Sequence, residues 1–78
     1  MTYKPETLEL VRGAIGRVRD ADVSGFKADD ELNLDSVERI SLIAELENVF
    51  SIELPLDAVT PEAFGSLGSL SSLIDARR

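Results

Sequence analysis

Apolar residues recur through most of this chain at spacings of three and four, and no sustained strand pattern appears. That pattern confines the fold to helices sharing a core, because a period of 3.6 gathers such residues on one helix face whereas a strand needs a period of two. From Pro5 to about Arg19, Leu8, Val11, Ile15 and Val18 gather with Leu10 and Ala14, opposite Glu9, Arg12, Gly13, Gly16 and Arg17. Pro5 suits a first turn, and Glu6 favours the positive end of the helix dipole. Gly13 and Gly16 each cost about 1 kcal/mol relative to alanine in a helix interior, so this helix has to lean on tertiary packing.

The stretch LNLDSVERISLIAELENVF predicts a second helix from Ser36 to about Phe50. Asp35 is placed to cap it, and Glu38 three residues on completes a capping-box pattern with aspartate in place of serine or threonine. Ile40, Ile43, Leu46 and Phe50, flanked by Leu42 and Val49, are the expected core face. The opposite arc carries Glu38, Ser41, Glu45 and Asn48, but also the apolar pair Val37 and Ala44 just beyond Ser36. Such a spot is either a small docking patch or the ordinary scatter of apolar residues on a surface.

Further on, Ile52 and Leu54 should point inward, and Pro55 prevents the helix from continuing. Thr60 as N-cap and Pro61 at the first helical position should open a short helix that Gly65 stops. A last helix, from about Ser66 to Ala76, gathers Leu67, Leu70, Leu73 and Ile74, with Arg77 and Arg78 at its negative end. The expectation is an all-α fold over residues 1–78 as a single domain: a small bundle of three main helices plus one short helix, with a long first loop.

That loop, residues 20–34, should be pinned to the core by Phe26, Leu32 and Leu34. Within it, DADVSGFKADDE (20–31) matches a calcium-loop pattern, with Asp20, Asp22 and Ser24 on odd positions, Gly25 sixth and Glu31 twelfth. Alternating oxygens can converge on one cation there, and a closing glutamate can complete its shell. Lys27 and Ala28 fit the eighth and ninth positions poorly, no second such loop exists, and a helix start at Ser36 leaves residues 33–35 outside the outgoing helix. The loop is thus either a solvated acidic connection or the site of a calcium-binding, EF-hand-like regulator.

Fifteen acidic against eight basic residues give a net charge of −7, which argues against nucleic-acid partners and for partners with basic surfaces. The chain has neither cysteine nor histidine, so it lacks the commonest thiol nucleophile, the strongest metal ligands and the commonest general base. It is not expected to be an enzyme. No apolar run approaches the ~18 residues of a membrane span, and the N-terminus lacks the layout of a signal peptide. The expectation is a cytoplasmic protein with no membrane partner.

Ser36 admits three readings. It is a first-turn serine of purely structural use, a nucleophile, or a point of covalent modification by a phosphate-linked group. The second is weak, since no histidine exists to activate the hydroxyl and no G-x-S-x-G elbow surrounds it. For the third, an anion at the start of a helix is favourable by about 0.3–1 kcal/mol.

The segment LNLDSVERISLIAELENVFSIELP resembles the core signature of acyl carrier proteins and of the related peptidyl and aminoacyl carriers. In that signature Asp-Ser is followed by an aliphatic residue, a helix ending in Phe, and an Ile-x-Leu/Ile-Pro segment. The order of helix, long loop, Asp-Ser helix, short helix and final helix extends the resemblance over nearly the whole chain. It implies that Ser36 receives a 4′-phosphopantetheine arm from coenzyme A through a Mg²⁺-dependent phosphopantetheinyl transferase. The arm's thiol would then hold acyl, polyketide or aminoacyl groups as thioesters, which gives thiol chemistry to a chain without cysteine. Asp35 would shape the approach to Ser36. An acyl- or aminoacyl-loading ligase or transferase and downstream biosynthetic enzymes would dock on Val37 and Ala44, with Glu38, Ser41, Glu45, Glu47 and Asn48 as polar contacts. The carrier would be a monomer. Asn33 stands where many members have glycine, Val37 where leucine is usual and Ala44 where a larger apolar residue is common, while Arg39 and Ser41 occupy a helix that is often more acidic. These differences point to a discrete carrier in a dedicated fatty-acid, polyketide or aminoacyl/peptide pathway.

Overall fold

The computed structural model describes residues 3–20, 22–23 and 25–77. Its α-helices are α1 (Pro5–Arg19), α2 (Ser36–Phe50) and α3 (Leu67–Arg77). Among the described residues there is no strand, only an isolated antiparallel bridge between Glu31 and Ser66. The fold is a small all-α bundle in which α1 packs along both other helices. Val11, Ala14 and Ile15 of α1 meet Leu42 and Leu46 of α2 and Leu67, Leu70 and Ile74 of α3, and Leu32, Leu54 and Phe64 close the core from the connecting segments.

Pro5 opens α1 as expected, but Lys4 at its N-cap contributes no side-chain bond. The far end of the chain supplies it instead. Asp75 of α3 accepts the Lys4 N–H at 2.6 Å and the Thr7 hydroxyl at 2.7 Å, so the buried Thr7 has a hydrogen-bond partner. Leu10, expected in the core, is 46% exposed. It lies roughly a quarter turn from the centre of the buried arc, whereas Thr7, which an apolar pattern passes over, lies close to that centre. Asp20 ends the helix in the left-handed region at φ 52°, its N–H donating to the Gly16 carbonyl.

Leu32 is fully buried, and Val23, Phe26 and Leu34 pack against the core, so the expected pins of the long loop are in place. Polar bonds hold it as well. The Arg12 guanidinium donates to the carbonyls of Val23, at 3.3 Å, and of Phe26, and Arg19 donates to those of Leu32 and, at 3.1 Å, Asn33. Leu32 N–H donates to Gly65 at 3.0 Å and Gly68 N–H to Ala28 at 2.6 Å, which ties the loop to the entry of α3.

Two further expectations need correcting. The short helix is a 3₁₀ turn at Leu56–Ala58, after Pro55, rather than a helix opened at Thr60. Thr60 does cap a turn there, accepting the Ala63 N–H on Oγ1 at 3.1 Å, but the chain bends away at Gly65 after that single turn. The second correction concerns α2. Its fully buried residues are Leu42 and Leu46, and Ile40, expected in the core, is 69% exposed. Arg78, expected at the end of α3, lies outside the described residues.

Candidate functional site

α2 is preceded by Asn33 at φ 51°, the left-handed region that asparagine tolerates better than most residues and glycine tolerates best. The chain then extends through Asp35, whose carboxylate Oδ1 accepts the Glu38 N–H at 2.7 Å while Glu38 Oε1 accepts the Asp35 N–H at 3.2 Å. The expected capping box is therefore complete. It leaves Ser36 as the first residue of the helix, exposed, with no hydrogen bond to its hydroxyl among the described residues. Arg19 steadies this turn from α1, its Nε 3.4 Å from Glu38 Oε2.

Along the outer face, Val37 is 73% and Ile40 69% exposed, and Ala44 is exposed one turn further on. Residues spaced by three and seven share one helix face, so these three form an apolar stripe that begins beside Ser36, with exposed Ser41 and Asn48 along its edge. Of the residues expected as partner contacts, Val37, Ser41, Ala44 and Asn48 thus share the open face with Ser36. Glu38, Glu45 and Glu47 are partly buried and engaged within the chain: Glu38 in the capping box, Glu45 with Arg17 at 2.6 Å, and Glu47 accepting the Leu54 N–H at 2.8 Å. Sequence reasoning missed Ile40 on this stripe, although its spacing from Val37 and Ala44 was the signal that could have found it.

A cleft of about 250 Å³ opens between the segment entering α2 and the turn at residues 61–65, with Glu31, Asn33, Leu34 and Arg39 on one part of its wall and Phe64 and Gly65 on another. In the loop that fits the calcium pattern, Asp30 Oδ2 accepts the Lys27 N–H at 2.8 Å and Glu31 is bridged to Ser66. Ser24 lies outside the described residues, and among the described residues no group of three or more carboxylates is arranged to hold a metal ion.

Chemically, the site offers an accessible primary hydroxyl to which no base is hydrogen-bonded among the described residues. No protein-family model matches the chain, and no curated protein or solved structure matches it either.

Proposed function

We propose that this protein is a discrete acyl, polyketide or aminoacyl carrier, modified on Ser36 with 4′-phosphopantetheine. The observation that carries the reading is the division of labour at the start of α2: Asp35 takes the cap, and the Ser36 hydroxyl is left exposed and unbonded beside an open apolar stripe. In the transfer, Ser36 Oγ forms a bond to the phosphorus of coenzyme A that bears the pantetheine, and the bond from that phosphorus to the bridging oxygen breaks, releasing adenosine 3′,5′-bisphosphate. With no histidine in this chain, the Ser36 proton passes to a base of the transferase. The bound arm supplies a thiol for thioester chemistry. Val37, Ile40 and Ala44 give loading and processing enzymes an apolar landing strip, and the net charge of −7 suits partners with basic rims. The cytoplasm is where such enzymes would meet it.

Incubation with a broad-specificity phosphopantetheinyl transferase, coenzyme A and Mg²⁺ should add one arm by intact mass to the wild-type chain and none to Ser36→Ala. A wild-type chain left unmodified by several such transferases would sink the reading. Partner binding that persists undiminished in Ser36→Ala would favour an unmodified helical adaptor instead.

A further inference from the structure

Arg39 is the residue that the carrier reading leaves without a role. It stands three residues before Leu42 and seven before Leu46, which puts a cation on the inward face of α2. Its Nε is buried and has no hydrogen-bond partner, and among the described residues no carboxylate lies within ion-pair distance of its guanidinium. Arg19 also has an unbonded buried Nε, but Glu38 lies beside it and its Nη2 donates to two carbonyls. Arg39 has no such compensation, in a chain whose carboxylates outnumber its cations fifteen to eight. The Arg39 side chain is partly buried, and an unpaired donor taken out of water is costly, the more so in a charged group. The same residue forms part of the wall of the cleft, and it sits one turn from Ser36 on the same helix, where side chains at i and i+3 are neighbours.

We infer that Arg39 makes this cleft a subsite for an oxyanion, delivered by the group attached to Ser36. The planar guanidinium fork fits a phosphate or a carboxylate with paired hydrogen bonds, and the Asn33 amide on the same wall can add a donor. Glu31 also lines the cleft, and its carboxylate opposes an anion there. The inference rests on the carrier reading only for the source of the anion, which is either the phosphodiester of the arm or a carboxylate within the cargo.

The test has two arms, both on the full chain. In the first, the unmodified protein is titrated with inorganic phosphate, with chloride as the ionic-strength control, while NMR follows the Arg39 Nε–H and the backbone amides of Asn33, Phe64 and Gly65. Saturable shifts at these positions are expected, tightened in Glu31→Gln and weakened by about tenfold or more in Arg39→Gln. Arg39→Lys keeps the charge without the fork; it should fold and bind with intermediate strength, which guards against a glutamine variant that fails to fold. No saturable response beyond that of chloride overturns the inference, whatever happens at Ser36. In the second arm, the pantetheinylated protein is compared with its butyryl and succinyl thioesters. A shift of the Arg39 Nε–H common to all three identifies the phosphodiester, and a shift confined to the succinyl form identifies a cargo carboxylate. An Arg39 signal indifferent to all three overturns the inference. A chain that accepts no arm by intact mass overturns the carrier reading instead, and the phosphate titration then decides the anion subsite alone.

Discussion

Asp35 and Ser36 are adjacent polar residues at one helix start, and the structure gives only the first a bond to lose. In Asp35→Ala the Glu38 N–H loses its 2.7 Å acceptor, a change that costs about 0.5–2 kcal/mol at an N-cap. The variant also removes a negative charge from the positive end of the helix dipole, worth about 0.3–1 kcal/mol at an exposed site. The return bond from the Asp35 N–H to Glu38 belongs to the backbone and can survive, so the sum is about 0.8–3 kcal/mol. In a domain of this size each kcal/mol moves Tm by about 4–8 °C, so Asp35→Ala should melt at least ~3 °C below wild type. Ser36→Ala removes a hydroxyl that has no partner among the described residues and installs a better helix former, so it should stay within about 0.5 kcal/mol of wild type and err towards stabilisation. Asp35→Asn keeps an acceptor and drops the charge, and should fall between the two. Thermal and urea melts followed by circular dichroism at one protein concentration decide the matter. If Ser36→Ala loses as much as Asp35→Ala, the serine carries the cap and its hydroxyl is not spare, which removes the observation on which the carrier reading stands.

Three other outcomes are expected. Gly13→Ala adds a Cβ that would meet the Arg17 side chain at 3.5 Å, an ordinary contact, so it should gain about 1 kcal/mol and ~4–8 °C in Tm; a lower Tm would mean that α1 needs its flexibility at that point. Ile40→Gln, at a residue 69% exposed, should leave Tm nearly unchanged while slowing acyl or aminoacyl loading by a partner enzyme, and unchanged loading would remove Ile40 from the docking stripe. Sodium chloride should raise Tm by screening a net charge of −7, and a flat response across a salt series would mean that pairs such as Arg17 with Glu45 already offset the repulsion.

What the sequence disclosed, it disclosed locally. The capping box at Asp35 and Glu38 and Pro5 at the start of α1 depend on residues within one turn of each other and form as read, while Thr60 caps a single turn in place of the expected short helix. Asn33 stands where many of the carriers that the sequence resembles have glycine, and its left-handed backbone gives that difference a physical sense. The rotation of α2 was legible only in part. Val37, Ile40, Leu42, Ile43, Ala44, Leu46, Val49 and Phe50 spread apolar character round the helix, so periodicity alone favours no single inward direction, and packing against α1 decides it. The bond between Thr7 and Asp75 spans 68 positions, and the anchoring of the loop by Arg12 and Arg19 depends on carbonyls that any sequence possesses. Neither leaves a mark in the pattern of residue types. Arg39 reads as one more surface charge until the direction of α2 is known, and this is why the cleft it lines could not be anticipated.

The architecture of α2 separates what must stay fixed from what can be altered. From Ser36 to Ser41 no side chain is fully buried, and the contribution of the helix to the core starts at Leu42. The first turn is held by the capping box, by Arg19 near Glu38 and by α1 alongside, interactions of about 1 kcal/mol each, whereas deleting a buried leucine such as Leu42 or Leu46 costs about 2–5 kcal/mol. A bulky group on Ser36, or a partner pressed against Val37 and Ile40, therefore acts on a part of the helix whose loosening need not open the core. If Ser36 carries a group as proposed, the same separation gives the polar pair at the helix start a use: were Ser36 itself the cap, substitution of its hydroxyl would weaken the first turn on each modification. With Asp35 in that position, the turn keeps its cap whether the serine is free or occupied.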